Sequence, residues 1–290
     1  MARLVDRLLD PGCAIAGLGL DVRLLRETMG SQKAVIVCDN VESFWAGHSQ
    51  DDWGTKDFPN LAPPFDVVWY EYRPSHRVFD GGRWKTSDCP YTAIGGLVSA
   101  KEHEGGWLIC TILLGLVPDA ERPPGCPDVV FLGEACAQIN EHGAPDIDGH
   151  YFLFSREIAN LQIGYENALW NMVTPIYLAI CFMHCRNVVQ REVSQPRGPS
   201  RQWAREHGRP LVRYHVLDID PMKATLEAEG GVSKNGLKKA LHICRGHFAT
   251  YTEDAPLFGN YVGTVWKPQH VRGSAQQGAV VKDYEVLHNG

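Results

Sequence analysis

Between Glu166 and Arg186 lie 19 consecutive residues without a formal charge, including Tyr177-Leu-Ala-Ile-Cys-Phe-Met183. A helix over residues 176–186 is apolar on all sides and must be covered all round. A bilayer would be one cover, but a span takes roughly 20 mostly apolar residues. Asn167, Asn171, Thr174, Pro175 and His184 interrupt this run. The expectation is therefore a buried core helix. Ser155, Ile158, Leu161, Tyr165, Leu169 and Met172 continue the three-to-four spacing upstream, so the helix should begin near Ser155. Pro175 lacks an N–H and clashes with the preceding turn, and it is expected to kink or split the helix.

The rest of the chain supplies enough material to bury that helix. It has 290 residues, 44% hydrophobic and 21% charged, as in an ordinary globular protein. Those values exclude a disordered chain, a collagen-like repeat and a multi-span membrane protein. A chain of this size buries about three quarters of its unfolded surface, so it needs no metal or disulfide staple. Nine cysteines form no CxxC pair or regular framework, the usage of buried thiols in a reducing compartment. The N-terminal Met-Ala-Arg-Leu-Val-Asp-Arg has no apolar run suited to a signal peptide. A cytoplasmic protein with no membrane partner is expected.

Strand signals fill the first half. Ala34–Cys38 is a compact apolar run that ends in a turn at Asp39-Asn40. Residues 65–72, 91–99 and 107–117 carry the β-branched and aromatic content of strands. Residues 46–64 and 118–127 read as long loops, and the first 30 residues as two short helices around the Asp10-Pro11-Gly12 turn. This pattern predicts an α+β fold: an antiparallel sheet with long loops, a kinked central helix, and a smaller basic C-terminal βα-hairpin part. It does not suggest alternating βαβ units.

Charge divides the chain. Residues 1–185 hold 13 basic and 24 acidic side chains, whereas residues 186–290 hold 15 basic and 10 acidic ones and half the histidines. The net charge of -6 argues against a chain that coats nucleic acid along its whole length. The split suggests instead that the C-terminal part meets an anion. The expected organisation is an acidic body over 1–189, an Arg/Pro-rich linker over 190–210 and a basic part over 211–290, small enough to share the body's core. The linker carries Arg191, Arg197, Arg201, Arg205 and Arg209 against Glu192 and Glu206. Beyond it, residues 211–218 alternate as a strand, and Asp220-Pro221 and Ser233 begin short helices.

The chemistry-bearing residues concentrate near the end. If residues 241–251 form one strand, His242, Cys244, Gly246 and Phe248 share one face, and Arg245 and His247 the other. On a second strand over 261–272, His270 and Arg272 share a face. Pairing the two in a hairpin would bring His247, His270, Arg245 and Arg272 to one patch. Histidine titrates near neutral pH and serves as acid or base, and arginine offers a planar fork of donors to phosphoryl charge. Such a set suffices for metal-independent RNA cleavage, with His247 and His270 as general acid and base and no cofactor. Tyr251, Phe258 and Trp266 could stack bases, with His242 beside them as a substrate-binding residue. The bland alternative pairs the arginines with Glu253, Asp254 or Asp283 and buries the histidines as satisfied polar groups.

Leu241-His-Ile-Cys-Arg-Gly-His-Phe248, Pro256-Leu-Phe-Gly259, Trp266 and His270-Val-Arg-Gly273 together resemble a group of uncharacterised proteins from phages, prophages and actinobacteria. The likeness covers the C-terminal third and residues 179–188, around Phe182-Met-His-Cys-Arg-Asn187. It implies a mobile-element origin and carries no activity.

Rival sites are weaker. Cys181, His184 and Cys185 on the central helix, with His242 and Cys244, could hold zinc, yet the usual ligand loops are absent. Asp39, Asp66 and Glu71 at strand positions could hold Mg²⁺ for phosphodiester cleavage. Gly17-Leu-Gly-Leu20 lacks the third glycine and preceding strand of a dinucleotide site, and no GxxxxGK[ST], HExxH or GxSxG occurs. Two functions follow: a nucleic-acid-processing protein, an endoribonuclease-like toxin or defence effector binding RNA or another phosphate-containing ligand, or a non-catalytic protein that binds and blocks a host protein. For the second, Trp45, Trp53 and Asp51-Asp52 are candidate contact residues, while Trp69, Trp107 and Trp170 suit core packing.

Overall fold

A computed structural model of the chain describes residues 2–16, 21–31, 34–46, 58–80, 83–87, 89–103, 106–119, 125–140, 142–153, 165–185, 188–219, 240–244, 247–256, 262–267, 270–272 and 274–279. The chain forms two compact units. The first comprises Met1–His184 with Val189–Asp218, and the second Cys185–Val188 with Ile219–Gly290.

The first unit runs α1 (Leu4–Leu8), β1 (Ile15–Ala16), α2 (Val22–Ser31), β2 (Val35–Val37), α3 (Asp39–Ala46), β3 (Val67–Tyr72), β4 (Arg77–Asp80), β5 (Arg83–Thr86), β6 (Ala93–His103), β7 (Gly106–Leu116), β8 (Val129–Asn140), β9 (Pro145–Leu153), α4 (Tyr165–Met183), β10 (Val188–Val193), α5 (Arg197–His207) and β11 (Tyr214–Ile219). Its main sheet has nine strands in the order β1-β8-β7-β6-β3-β2-β11-β10, with β9 also on β8. The run β3-β6-β7-β8-β9 is antiparallel, as expected. The sheet as a whole is mixed, because β1 joins β8, and both β3 and β11 join β2, in parallel. The expected turn at Asp39-Asn40 is instead the start of α3. Helix α3 lies in the connection between parallel β2 and β3, so one βαβ unit sits inside a meander.

Both faces of the sheet are covered. On one, Leu4, Val5 and Leu8 of α1 with Leu25 and Met29 of α2 pack on Val35, Trp69, Leu97, Leu114 and Val129. A five-residue helix has no stability of its own in water, so burial of those apolar side chains holds α1 in place. On the other face α4 packs on β6, β7 and β8 and against α3. Residues 176–182 of α4 are all buried, which meets the demand set by the uncharged run. Pro175 lies inside α4 without splitting it, and Thr174 Oγ1 donates to the Trp170 carbonyl at 2.7 Å just before it. The upstream extension to Ser155 falls outside the described residues.

Two adjacent glycines make room for large side chains, one from the neighbouring strand and one from α4. A Cβ on Gly95 would stand 2.2 Å from Trp69 Cζ2, and one on Gly96 2.5 Å from Ile176 Cδ1. Trp69 and the Ile176 side chain of α4 occupy the space that side chains at 95 and 96 would need.

Residues 190–210 are not a linker. They form most of β10 and all of α5, and β11 after them pairs with β2 inside the main sheet. Pro196 stands at the N-cap of α5 and Pro199 within its first turn, where backbone N–H groups have no intrahelical acceptor to lose.

The second unit contains β12 (Ala240–Cys244), β13 (His247–Tyr251), β14 (Gly263–Lys267), β15 (His270–Arg272) and β16 (Ser274–Ala279). Residues 240–244 and 247–251 fall in different sheets: β12 joins β15 and β16, while β13 pairs with β14 among the described residues. The helices expected after Asp220 and Ser233 lie outside the described residues.

Candidate functional site

The N-terminal arm, the βαβ unit and β11 meet at a buried polar centre. Arg3 Nη1 contacts Asp39 Oδ2 at 3.0 Å, its Nε lies 3.8 Å from Glu71 Oε1, and its guanidinium carbon sits 5.0 Å from the Tyr214 ring centroid. Glu71 Oε2 accepts the Val5 N–H at 2.9 Å and the Trp69 Nε1–H at 3.0 Å. Asp6 accepts the Val212 N–H at 2.7 Å and the Arg3 N–H at 2.9 Å, with Arg209 4.0 Å away. Burial pushes the Glu71 carboxyl above its ordinary range against the pull of Trp69, Val5 and Arg3. The same cause raises Asp6. In α3, Glu42 is also buried and raised, and it accepts the Ser75 N–H at 2.8 Å and the Ser75 hydroxyl at 2.6 Å.

This geometry gives the carboxylates of the rival magnesium reading other partners. Asp39 and Glu71 share the guanidinium of Arg3, which supplies the positive charge between them, and Asp39 also accepts the Arg73 N–H at 2.9 Å. Asp66 is exposed beside β3, where its carbonyl accepts the Ala100 N–H. The residues of the rival zinc reading have a mechanical role. Cys181 Sγ donates to the Asn60 carbonyl at 3.1 Å, and His184 Nε2 lies 2.7 Å from the Ala62 carbonyl, tying the end of α4 to residues 60–62. Cys185 is buried.

A second polar construction faces solvent. Arg197, Arg201 and Arg205 of α5 follow i, i+4, i+8 spacing, so they form one stripe with a step of about 6 Å. All three are exposed. Several other arginines are paired: Arg7 with Asp119 at 3.8 Å, Arg23 with Glu27 at 2.9 Å and Arg213 with Glu192 at 3.4 Å. Among the described residues, none forms an ion pair with the α5 stripe. The opposite side of α5 anchors it. The Trp203 and His207 rings stack with centroids 3.7 Å apart, His207 Nδ1 contacts Asp10 Oδ2 at 2.6 Å, and Ser200 Oγ accepts the Leu211 N–H at 3.3 Å. Gly208 ends the helix in the left-handed region, φ 74°, donating to the Ala204 carbonyl. The helix thus presents, from a fixed base, guanidinium groups that no described residue neutralises.

The C-terminal residues singled out from sequence fall on two ladders. His242 is opposite Arg272, and Cys244 opposite His270, in the β12–β15 pairing. His247 is opposite Lys267 and Phe248 opposite Trp266 in the β13–β14 pairing, where Tyr251 faces Gly263. The backbone sets His270 and Arg272 on the ladder with His242 and Cys244, and His247 on the ladder with Lys267. Arg245 and Phe258 lie outside the described residues, as do Trp53 and Asp51-Asp52. Trp45 and Trp69 are buried, Trp170 packs edge-on against Phe58 and Tyr177, and Trp107 is 38% exposed rather than in the core. No helix among the described residues is long and apolar enough to cross a membrane.

No family model matches the chain, and no curated protein matches it. Among solved structures it is similar to one described as "Crystal structure of AcrVA2", at 14% identity and a TM-score of 0.30, covering 83% of this chain and 72% of that chain.

Proposed function

We propose that the chain is a binding protein that docks the outward stripe of α5 on an acidic face of another protein, in the manner expected of a mobile-element product that blocks a host component. The observation that carries this reading is the set Arg197, Arg201 and Arg205: exposed, aligned and without an ion-pair partner among the described residues. Arginine matches carboxylates with a planar fork of donors and is enriched among residues that dominate binding energy at interfaces. A localised acidic patch suits the chain better than a long polyanion, because residues 1–185 carry an excess of acidic side chains that repel phosphate beyond the stripe.

The test is affinity capture from nuclease-treated actinobacterial lysate with the native chain and with R197E/R201E/R205E. The expected result is one stoichiometric protein partner held by the native chain and lost by the variant. Equal capture by both chains, or a partner held only when the nuclease is omitted, contradicts the reading.

A second reading, carried by the residue types of the second unit, is RNA cleavage. His242 with Arg272 and Cys244 with His270 bring imidazole- and guanidinium-bearing positions onto one ladder. In this reading His247 and His270 are the general acid and base, Arg245 and Arg272 stabilise phosphoryl charge, and His242, Tyr251, Phe258 and Trp266 bind the substrate. His247→Ala and His270→Ala should each abolish cleavage of RNA without lowering the melting temperature. Full activity in both variants eliminates it.

A further inference from the structure

A separate cluster lies on the main sheet. Cys110 of β7 and Cys136 of β8 are directly opposite in the antiparallel ladder, and Glu134 is two residues from Cys136 on the same strand. The two sulfurs are 3.1 Å apart. One ligand atom from each of the three residues lies within 4.8 Å of the others, with Cys110 and Glu134 half-buried and Cys136 buried. Among the described residues no other group of histidine, cysteine and acidic side chains comes together in this way.

Two thiols, joined by a hydrogen bond from Cys136 to Cys110, and a carboxylate stand together in a partly desolvated place. Each becomes an anion on losing its proton, and like charges so close repel strongly. A cation among them reverses the sign of every one of these interactions. The donor set selects its class. Two sulfurs and one carboxylate oxygen suit a borderline-soft ion such as Zn²⁺ or Cd²⁺ and disfavour Mg²⁺ and Ca²⁺, which take oxygen ligands. A Zn–S bond of about 2.3 Å in tetrahedral geometry separates the sulfurs by about 3.8 Å. Opening the pair from 3.1 Å requires only small rotations of the cysteine side chains, since opposite residues on neighbouring strands are already about 5 Å apart at Cα. A disulfide would use the two sulfurs alone and give Glu134 nothing to bind.

We propose that Cys110, Glu134 and Cys136 bind one thiophilic divalent cation, with the fourth coordination position open on the half-exposed side of the sheet. Three protein ligands and an open place is the arrangement that admits water or a donor from a partner.

The test uses the full chain in its reduced form. Titration with Cd²⁺ should give one equivalent of thiolate-to-metal charge-transfer absorbance, displaced by Zn²⁺. C110S and C136S should each weaken binding by about 100-fold and E134Q by about tenfold. On the native chain, Zn²⁺ should slow alkylation of Cys110 and Cys136 at least about tenfold while Cys126, which is exposed, reacts unchanged. Equal alkylation with and without Zn²⁺, unaltered Cd²⁺ binding in C110S/C136S, or a Cys110–Cys136 disulfide formed by oxidised glutathione under saturating Zn²⁺ would overturn the proposal.

Discussion

His207 Nδ1 stands 2.6 Å from Asp10 Oδ2, joining residues 197 positions apart in sequence. This contact fastens the last turn of α5 to the Asp10-Pro11-Gly12 turn after α1, and with the Trp203–His207 stack it sets which side of α5 faces outward.

The contact gives a pH dependence. Burial opposes ionisation of Asp10, but the Gly12 N–H, His207 and Arg26 outweigh it, and the carboxyl lies below its ordinary range. A depressed value in the folded state contributes stability that is present above the unfolded pKa and lost as pH falls through the folded one. Urea unfolding from about pH 5 down to about pH 2.5 should therefore show a loss of stability that is smaller in D10N than in the native chain.

Glu71 behaves with the opposite sign. Burial raises its carboxyl, so the folded state holds the proton more tightly and this group's contribution declines as pH rises through the folded value. Removing it is nevertheless costly, because Val5 N–H, Trp69 Nε1–H and Arg3 all lose an acceptor. E71A should lose about 3–5 kcal/mol in denaturant unfolding at neutral pH. A double-mutant cycle with R3A should show non-additivity, since the two residues share one buried network.

The two glycines of β6 should differ. G95A drives a methyl into the rigid Trp69 ring, whereas G96A meets the terminal methyl of Ile176 and the methyl of Thr111. The expected cost of G95A is about 1–3 kcal/mol, with G96A milder because the Ile176 tip can rotate away. Paired thermal melts decide it, and equal melting temperatures would mean that Trp69 shifts freely.

Much of this core was legible in the residues. The β-branched and aromatic runs at 34–38, 65–72 and 107–117 became β2, β3 and β7, and the uncharged run became α4. Strand β8 was missed because Gly133, Ala135 and Ala137 dilute its side-chain signal, and Gly133 sits at φ 153° by the register shift opposite Leu113/Leu114. Nothing local announces that β11 pairs with β2, because parallel pairing joins segments distant in sequence. Helix α5 was hidden by Pro196, Gly198 and Pro199. The arginine spacing was in plain view but acquires meaning only once 197–207 is a helix. Likewise Cys110 and Cys136 are 26 residues apart, and only the β7–β8 register brings them together.

The direct measurement of the binding surface is arginine labelling with a dicarbonyl reagent, read by mass spectrometry in the free chain and in the isolated complex. Labelling of Arg197, Arg201 and Arg205 should slow about tenfold on binding, while Arg23, whose side chain is 88% exposed, labels at the same rate in both. Unchanged labelling of the three α5 arginines in an intact complex would contradict the assignment of α5 as the docking surface.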